Sequence, residues 1–177
     1  YICISHLHGD HYLGLMGLLS TMSLLNRKKE LIIFAPKGLE TILNLHLKLS
    51  YSILSFELKF VNLNTSKMKK IFEDDMLELF SFGLKHRIPC WGFKLLEKTR
   101  PRHVLKDVIK KHSIPYSAIA SIKSGKDYTT ISGEILENKL LTSEPYNARS
   151  YAYCSDTMPF DALIDCIQGV DLLYHDA

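Results

Sequence analysis

The sequence predicts an α/β fold organised as one domain, and three observations carry that prediction. Strand-length apolar runs alternate with helical-period segments as far as Leu49, in the order strand–helix–strand–helix, which is the pattern of an α/β layer. The composition, 46% hydrophobic and 23% charged, is that of an ordinary globular domain and argues against collagen, coiled coil or disorder. The length of 177 residues gives one domain a sizeable core but does not comfortably give two.

Tyr1 to Ser5 reads as a short buried strand followed by a polar turn of six residues. Tyr12 to Leu25 has the Leu and Met density of a buried helix, ended by Asn26-Arg27-Lys28-Lys29. Leu31 to Ala35 is a second apolar strand, closed by Pro36-Lys37-Gly38. Gly38 to Leu49 is helical, with Leu39, Ile42, Leu43 and Leu47 on one face. Phe56, Leu58 and Phe60 alternate with Glu57 and Lys59, as in a strand with one wet face. Met76 to Phe82 is a strand that reaches His86 through Gly83, and Gly92 to Leu96 is another. Val104 to Lys111 is helical until Ile114-Pro115-Tyr116 breaks it, and Asp127 to Leu141 has strand and turn character around Gly133. Ser150 to Cys154 is a strand, Asp161 to Gln168 a helix stopped by Gly169, and Val170 to Tyr174 a last strand. Lys67, Lys69 and Lys70 read as a surface run without a specific signal.

The most apolar stretch, Tyr12 to Leu25, is interrupted by Ser20, Thr21 and Ser23 and is too short to span a bilayer. Cys3, Cys90, Cys154 and Cys166 form no CxxC pair, which fits free thiols in a reducing, cytoplasmic compartment. The net charge of +3 is unremarkable, but its distribution is not. From Lys94 to Lys126 nine basic residues (Lys94, Lys98, Arg100, Arg102, Lys106, Lys110, Lys111, Lys123 and Lys126) meet only Glu97 and Asp107, so the remainder is net acidic. A basic block on an acidic body is a candidate anion-binding surface.

The strongest signal is His6-Leu7-His8-Gly9-Asp10-His11, where four of six consecutive residues are metal-ligand types placed between a strand and a helix. Side chains at i and i+2 of an extended segment point the same way, so His6 and His8 can grip one ion. Gly9 is expected to let the chain turn sharply, and Asp10 and His11 then face a second ion. Imidazole with carboxylate suits zinc, with manganese or iron as alternatives. His46, His103 and His112 read as packed or solvent-facing histidines, Cys90 and Cys154 as small core residues, and Trp91 as a packing residue.

This hexapeptide resembles the signature of the metallo-β-lactamase superfamily. The longer stretches Ile4 to Leu15, Leu84-Lys85-His86-Arg87-Ile88-Pro89-Cys90-Trp91-Gly92-Phe93, Ala152-Tyr153-Cys154-Ser155-Asp156-Thr157 and Leu173-Tyr174-His175-Asp176-Ala177 resemble the ribonuclease Z family, in that family's order. The resemblance implies a metallo-β-lactamase fold, a four-layer αββα sandwich incomplete at both termini. It also implies one partial domain over 1–177 with an inserted tRNA-binding arm at about 95–142. It further implies that His6, His8 and His86 bind one zinc, that Asp10 and His11 bind a second, and that Asp156 bridges them. His175 would be the proton donor, with Asp176 where glutamate is commoner, and Asp10 would join it in catalysis. The family's last zinc-ligand histidine and the β-structure preceding the first motif would lie outside the sequence.

The implied activity is zinc-dependent endonucleolytic removal of the 3′ trailer from precursor tRNA, leaving a tRNA 3′-hydroxyl and a 5′-phosphorylated trailer. Two zinc ions sharing a carboxylate suit that chemistry, because zinc lowers the pKa of water and neutralises charge developing on phosphorus. The arm would grip tRNA through phosphate contacts from Arg100, Arg102, Lys106, Lys110 and Lys111, and the family resemblance implies a homodimer. Two other readings stay open: another hydrolase of the superfamily acting on a phosphodiester, thioester or sulfate ester, and an RNA-binding module without catalysis.

Overall fold

In the computed structural model, which describes residues 1–176, β1 (Ile2–Cys3) leads through the histidine motif into α1 (Gly9–Tyr12) and α2 (Gly14–Leu24). β2 (Leu31–Pro36), α3 (Leu39–Leu49) and β3 (Leu58–Leu63) follow. The three strands form a parallel sheet in the order β1-β2-β3, with Ile2 opposite Ile33 and Leu31 opposite Leu58. Parallel neighbours need crossover connections, which α1, α2 and α3 supply. The helix expected over Tyr12 to Leu25 is α2, and the stretch expected as a polar turn holds the single helical turn α1, which carries Asp10 and His11.

β4 (Lys69–Glu73), β5 (Leu77–Leu84) and β6 (Cys90–Glu97) begin the second sheet. The sequence reading missed β4, and the register shift between Lys70 and Phe72 shows why. An irregularity there breaks the period of two that marks a strand. Lys70 is not a featureless surface lysine either, since its Nζ pairs with Glu73 and with Glu78 (2.9 Å).

The described chain divides into two compact units, Tyr1–Leu96 with Ser150–Ala177 and the intervening Glu97–Arg149. The interval expected as an arm, about 95–142, falls mostly in the second. That unit contains β7 (His103–Val104), α4 (Lys106–Lys111), α5 (Ile119–Lys123), the hairpin of β8 (Tyr128–Thr129) and β9 (Ile135–Leu136), α6 (Asn138–Leu141) and β10 (Thr142–Ser143), which pairs with β7. It has its own small core of Ile114, Ile122, Leu136 and Leu141. The buried Asn138 ties it together, its Nδ2 donating to the carbonyls of Ile122 and Lys126, each at 2.7 Å.

β11 (Ser150–Cys154), α7 (Asp161–Ile167) and β12 (Leu172–His175) complete the first unit. The second sheet runs β12-β11-β6-β5-β4, parallel between β11 and β12 and antiparallel between β11 and β6. Successive residues of a strand face opposite sides, and this builds the layers. Ile33 packs with Leu15, Leu19, Leu39 and Leu43 against the helices. Its neighbour Phe34 meets Leu63, Leu79 and Phe93 between the two sheets. Phe82 and Cys154 pack against Leu163 of α7 on the far side. The result is helix, sheet, sheet, helix. Ala177, the end of the last family-like stretch, lies outside the described residues.

Candidate metal centre

The loops at the ends of four strands converge. His6 and His8 follow β1, His86 follows β5, Asp156 follows β11, and Asp176 follows β12. Backbone bonds fix these loops to one another: Trp91 N–H donates to the Ser5 carbonyl (3.0 Å), Met158 N–H to the Lys85 carbonyl (2.8 Å) and Asp176 N–H to the Cys154 carbonyl (3.0 Å). His8 is extended, with φ −76° and ψ 145°, so it and His6 project to one side. Gly9 has no positive φ, in contrast to Gly38 at +109°. The turn after His8 is therefore an ordinary helix start, and glycine is not required there for its backbone conformation.

His8 Nδ1 lies 3.0 Å from His6 Nε2 and 3.1 Å from His86 Nε2. One ligand atom each from His6, His8, His86 and Asp156 falls within 4.8 Å of the others. Asp156 presents Oδ2 to His6 Nε2 (3.8 Å) and His86 Nε2 (3.7 Å), and Oδ1 to His11 Nε2 (3.4 Å). On its other side His11 Nε2 meets Asp10 Oδ2 at 3.2 Å. The structure thus brings six of the expected ligands together. His175 is exposed at the end of β12 and is not among the residues that line the cavity, which its neighbour Asp176 does. That cavity, about 710 Å³, is also lined by Asp10, His11, Lys85, His86, Arg87, Asp156 and Thr157. Lys85 and Arg87 were not singled out from the sequence, although they flank His86 directly.

His6 is wholly buried. Burial, and then the charge of His11, push its pKa down to about 4, so its ring is neutral at pH 7 and its lone pair is available. For Asp156 burial works upward, but the charges of His11 and His6 outweigh it and hold the carboxyl below its usual range. Cys90 lies with its sulfur 3.5 Å from His6 Nδ1. Burial and then the Asp156 charge push its thiol up to about 12, so without a metal it is a neutral packing group.

Among the expected RNA-contacting residues, Arg100, Lys106, Lys110 and Lys111 are exposed. Arg102 is committed within its own unit, donating from Nη1 to Glu144 (2.6 Å) and from Nε to Thr142 Oγ1 (2.7 Å). Arg100, Arg102 and Lys123 line a cavity of about 630 Å³ in the Glu97–Arg149 unit.

No family model matches the chain. Individual proteins do. It is 42% identical over all 177 residues to the ribonuclease Z of Bacteroides fragilis strain YCH46. It is 40% identical over the same residues to the ribonuclease Z of Porphyromonas gingivalis strain W83. The chain is similar to ribonuclease Z throughout its length. It spans 58% of the length of both those ribonuclease Z proteins. Among solved structures, that of human tRNase Z, short form, matches with a TM-score of 0.57 and 22% identity, covering 97% of this chain and 54% of the human one. At that identity the likeness is one of fold, which agrees with the helix, sheet, sheet, helix layering described above.

The donor set fits a cation. His8 Nδ1 has at most one proton to share, yet it faces both His6 Nε2 and His86 Nε2. A divalent ion answers all three imidazole lone pairs and the carboxylate at once, a donor set that suits zinc and its first-row neighbours.

Proposed function

We propose that the whole protein is a metal-dependent endoribonuclease that removes the 3′ trailer from precursor tRNA in the cytoplasm, working as a homodimer. The observation that carries this reading is the convergence of His6, His8, His86 and Asp156 in a chain similar throughout to ribonuclease Z. His6, His8 and His86 would hold one zinc ion, Asp10 and His11 a second, and Asp156 both, with Mn²⁺ or Fe²⁺ as substitutes. Bound there, such ions polarise a phosphodiester and lower the pKa of water toward neutrality.

The chain's own groups divide the remaining work. Lys85 and Arg87 line the cavity beside His86 and place positive charge where a substrate phosphate would enter. Asp10, with its side chain 78% exposed, stands open to solvent and can accept a proton from the attacking water. His175 would give a proton to the departing 3′-oxygen of the tRNA. The segment at about 95–142 would act as an arm inserted in the single domain. Its exposed Arg100, Lys106, Lys110 and Lys111 would meet tRNA phosphates, with Arg102 bracing the arm from within.

The test uses the full-length protein. Elemental analysis should find zinc, and precursor tRNA should be cut to a 3′-hydroxyl and a 5′-phosphorylated trailer. Hydrolysis of a thioester or sulfate ester with precursor tRNA left intact would assign it to another branch of the superfamily. RNA binding without metal or cleavage would reduce it to a binding module.

A further inference from the structure

Behind the histidines lies a feature that the ligand assignments do not use. The ring nitrogens of His6 and His11 that point away from Asp156 are joined through two serine hydroxyls. His6 Nδ1 is 3.1 Å from Ser5 Oγ, Ser5 Oγ donates to Ser155 Oγ at 3.1 Å, and Ser155 Oγ is 3.5 Å from His11 Nδ1. Ser5 is 4% exposed and Ser155 and His6 are 0% exposed, so bulk water does not compete for these bonds. Each serine immediately precedes a candidate ligand, Ser5 before His6 and Ser155 before Asp156, and the two lie at opposite ends of the chain.

We infer that Ser5 and Ser155 are positioning residues, a buried hydroxyl strut that fixes His6 and His11 relative to each other and sets which nitrogen each presents to the metals. The inference rests on the metal-centre reading above. Proton accounting supports it. Ser5 spends its single hydroxyl proton on Ser155, so its oxygen is an acceptor toward His6, whose proton must then sit on Nδ1. Ser155 accepts from Ser5 and keeps a second lone pair for an Nδ1–H of His11. In its neutral form His6 is thereby held as the tautomer whose Nε2 is unprotonated, a neutral His11 that donates from Nδ1 to Ser155 is the same tautomer, and both Nε2 atoms are the ones that face Asp156. The groups behind metal-bound histidines are commonly carboxylates or carbonyls, which fix tautomer and ring orientation. A hydroxyl pair does the same without adding negative charge. It also couples the two halves of the centre, because neither histidine can rotate without breaking the strut. With Ser5 removed, the buried His6 Nδ1 would keep only the Cys90 sulfur at 3.5 Å, a weak acceptor.

The experiment compares full-length wild type with Ser5→Ala, Ser155→Ala and the double variant, using zinc and cobalt(II) as probes. Zinc affinity is read by competition with a chromophoric chelator, the site's geometry by the cobalt(II) visible spectrum, and folding by the melting temperature of the metal-free proteins. Each single variant should bind zinc roughly 10- to 100-fold more weakly and shift the cobalt spectrum, with melting little changed. The double variant should be hardly worse than the weaker single one, because either change breaks the same strut. Wild-type affinity and spectrum in both single variants, or fully additive losses, would overturn the inference. Nitrogen-15 spectra of the wild-type histidines decide the matter even if a variant fails to fold. A proton on Nδ1 of the neutral His6 ring is expected, and a neutral His6 ring protonated on Nε2 in the metal-free protein refutes the strut. A wild-type protein that binds neither metal would defeat the metal-centre reading itself, and the tautomers would still report on the strut.

Discussion

Asp156 faces His11 across 3.4 Å from Oδ1 to Nε2, while its second oxygen is turned to His6 and His86. A carboxylate whose two oxygens address separate imidazole groups has the placement that the proposed shared ligand requires. The carboxyl is ionised at neutral pH as any exposed aspartate is, and the charges of His11 and His6 hold its pKa lower still. The arrangement depends on the end of β11, where Cys154 is locked in the core and Asp156 projects two residues later.

Asp156→Ala should therefore strip metal from both groups of ligands together and take precursor cleavage to the detection limit. The metal-free protein should melt as the wild type does, since the carboxylate is part of no core cluster. Elemental analysis beside a cleavage assay checks this; full activity with wild-type metal content would exclude a shared ligand.

His175 and Asp176 can be separated. If His175 is the leaving-group acid, His175→Ala should slow turnover roughly 10²- to 10⁴-fold at unchanged metal content. An ester with a good leaving group, which needs no proton, should escape most of that loss. Asp176 lines the cavity, so Asp176→Asn tests whether it supports His175. A loss that also vanishes with the good leaving group places the two residues in one step, whereas loss of metal would make Asp176 a ligand.

For the basic segment, the structure divides residues that the sequence groups together. Lys106→Ala, Lys110→Ala and Lys111→Ala combined should raise the KM for precursor tRNA and leave bis(p-nitrophenyl) phosphate hydrolysis unchanged. The salt dependence of tRNA binding should flatten by about 0.7 to 0.9 log units per log unit of salt for each phosphate contact removed. Arg102→Ala should act differently, lowering the melting temperature, because its guanidinium ties Thr142 and Glu144 together. An unchanged salt slope in the triple variant would remove the lysines from the RNA surface.

The parts of the site that were legible in the sequence are those written locally. His6 and His8 share a side because an extended chain repeats every two residues, and the structure keeps His8 extended. Asp156 and His86 are remote from that motif and entered only through family resemblance, since no local period links them to it. Ser5 and Ser155 could not be singled out: serine is common beside any turn, and the meaning of each lies in the other. The alternating strands and leucine-rich helices of the layers were readable, whereas β4 was hidden by its irregular register. The four- to six-residue helices of Glu97–Arg149 are too short to repeat a hydrophobic period, so α5 and α6 left little signal.

The buried thiols give a pH dependence with a definite sign. Burial raises Cys154 from 9.0 to about 11. The unfolded chain then ionises this thiol at a pH where the folded protein still holds its proton. Its contribution to stability is fully present below pH 9 and is lost as pH rises through about 11. Melting temperatures from pH 8 to 11 should fall more steeply in the wild type than in Cys154→Ala. Parallel curves would show that this thiol titrates alike in both states.

Gly92 provides the sharpest test of the packing behind the site. It lies in β6 where a β-carbon would come within 2.4 Å and 2.6 Å of the Phe82 ring and 3.0 Å of the Tyr153 carbonyl oxygen. Phe82 is fully buried and packed with Cys154 and Leu163, so its ring has no solvent to retreat into. Gly92→Ala should destabilise the protein by about 1–3 kcal/mol, the usual cost of overpacking a core. The displaced ring presses on Cys154, two residues before Asp156, so zinc binding should weaken as well. Gly92→Ala with Phe82→Leu makes room for the methyl group and should recover part of both losses, although the smaller side chain loses contacts of its own. Equal melting temperatures for wild type and Gly92→Ala would mean that the strands separate freely at this point. Destabilisation with no recovery in the double variant would locate the strain at the Tyr153 carbonyl instead of the ring.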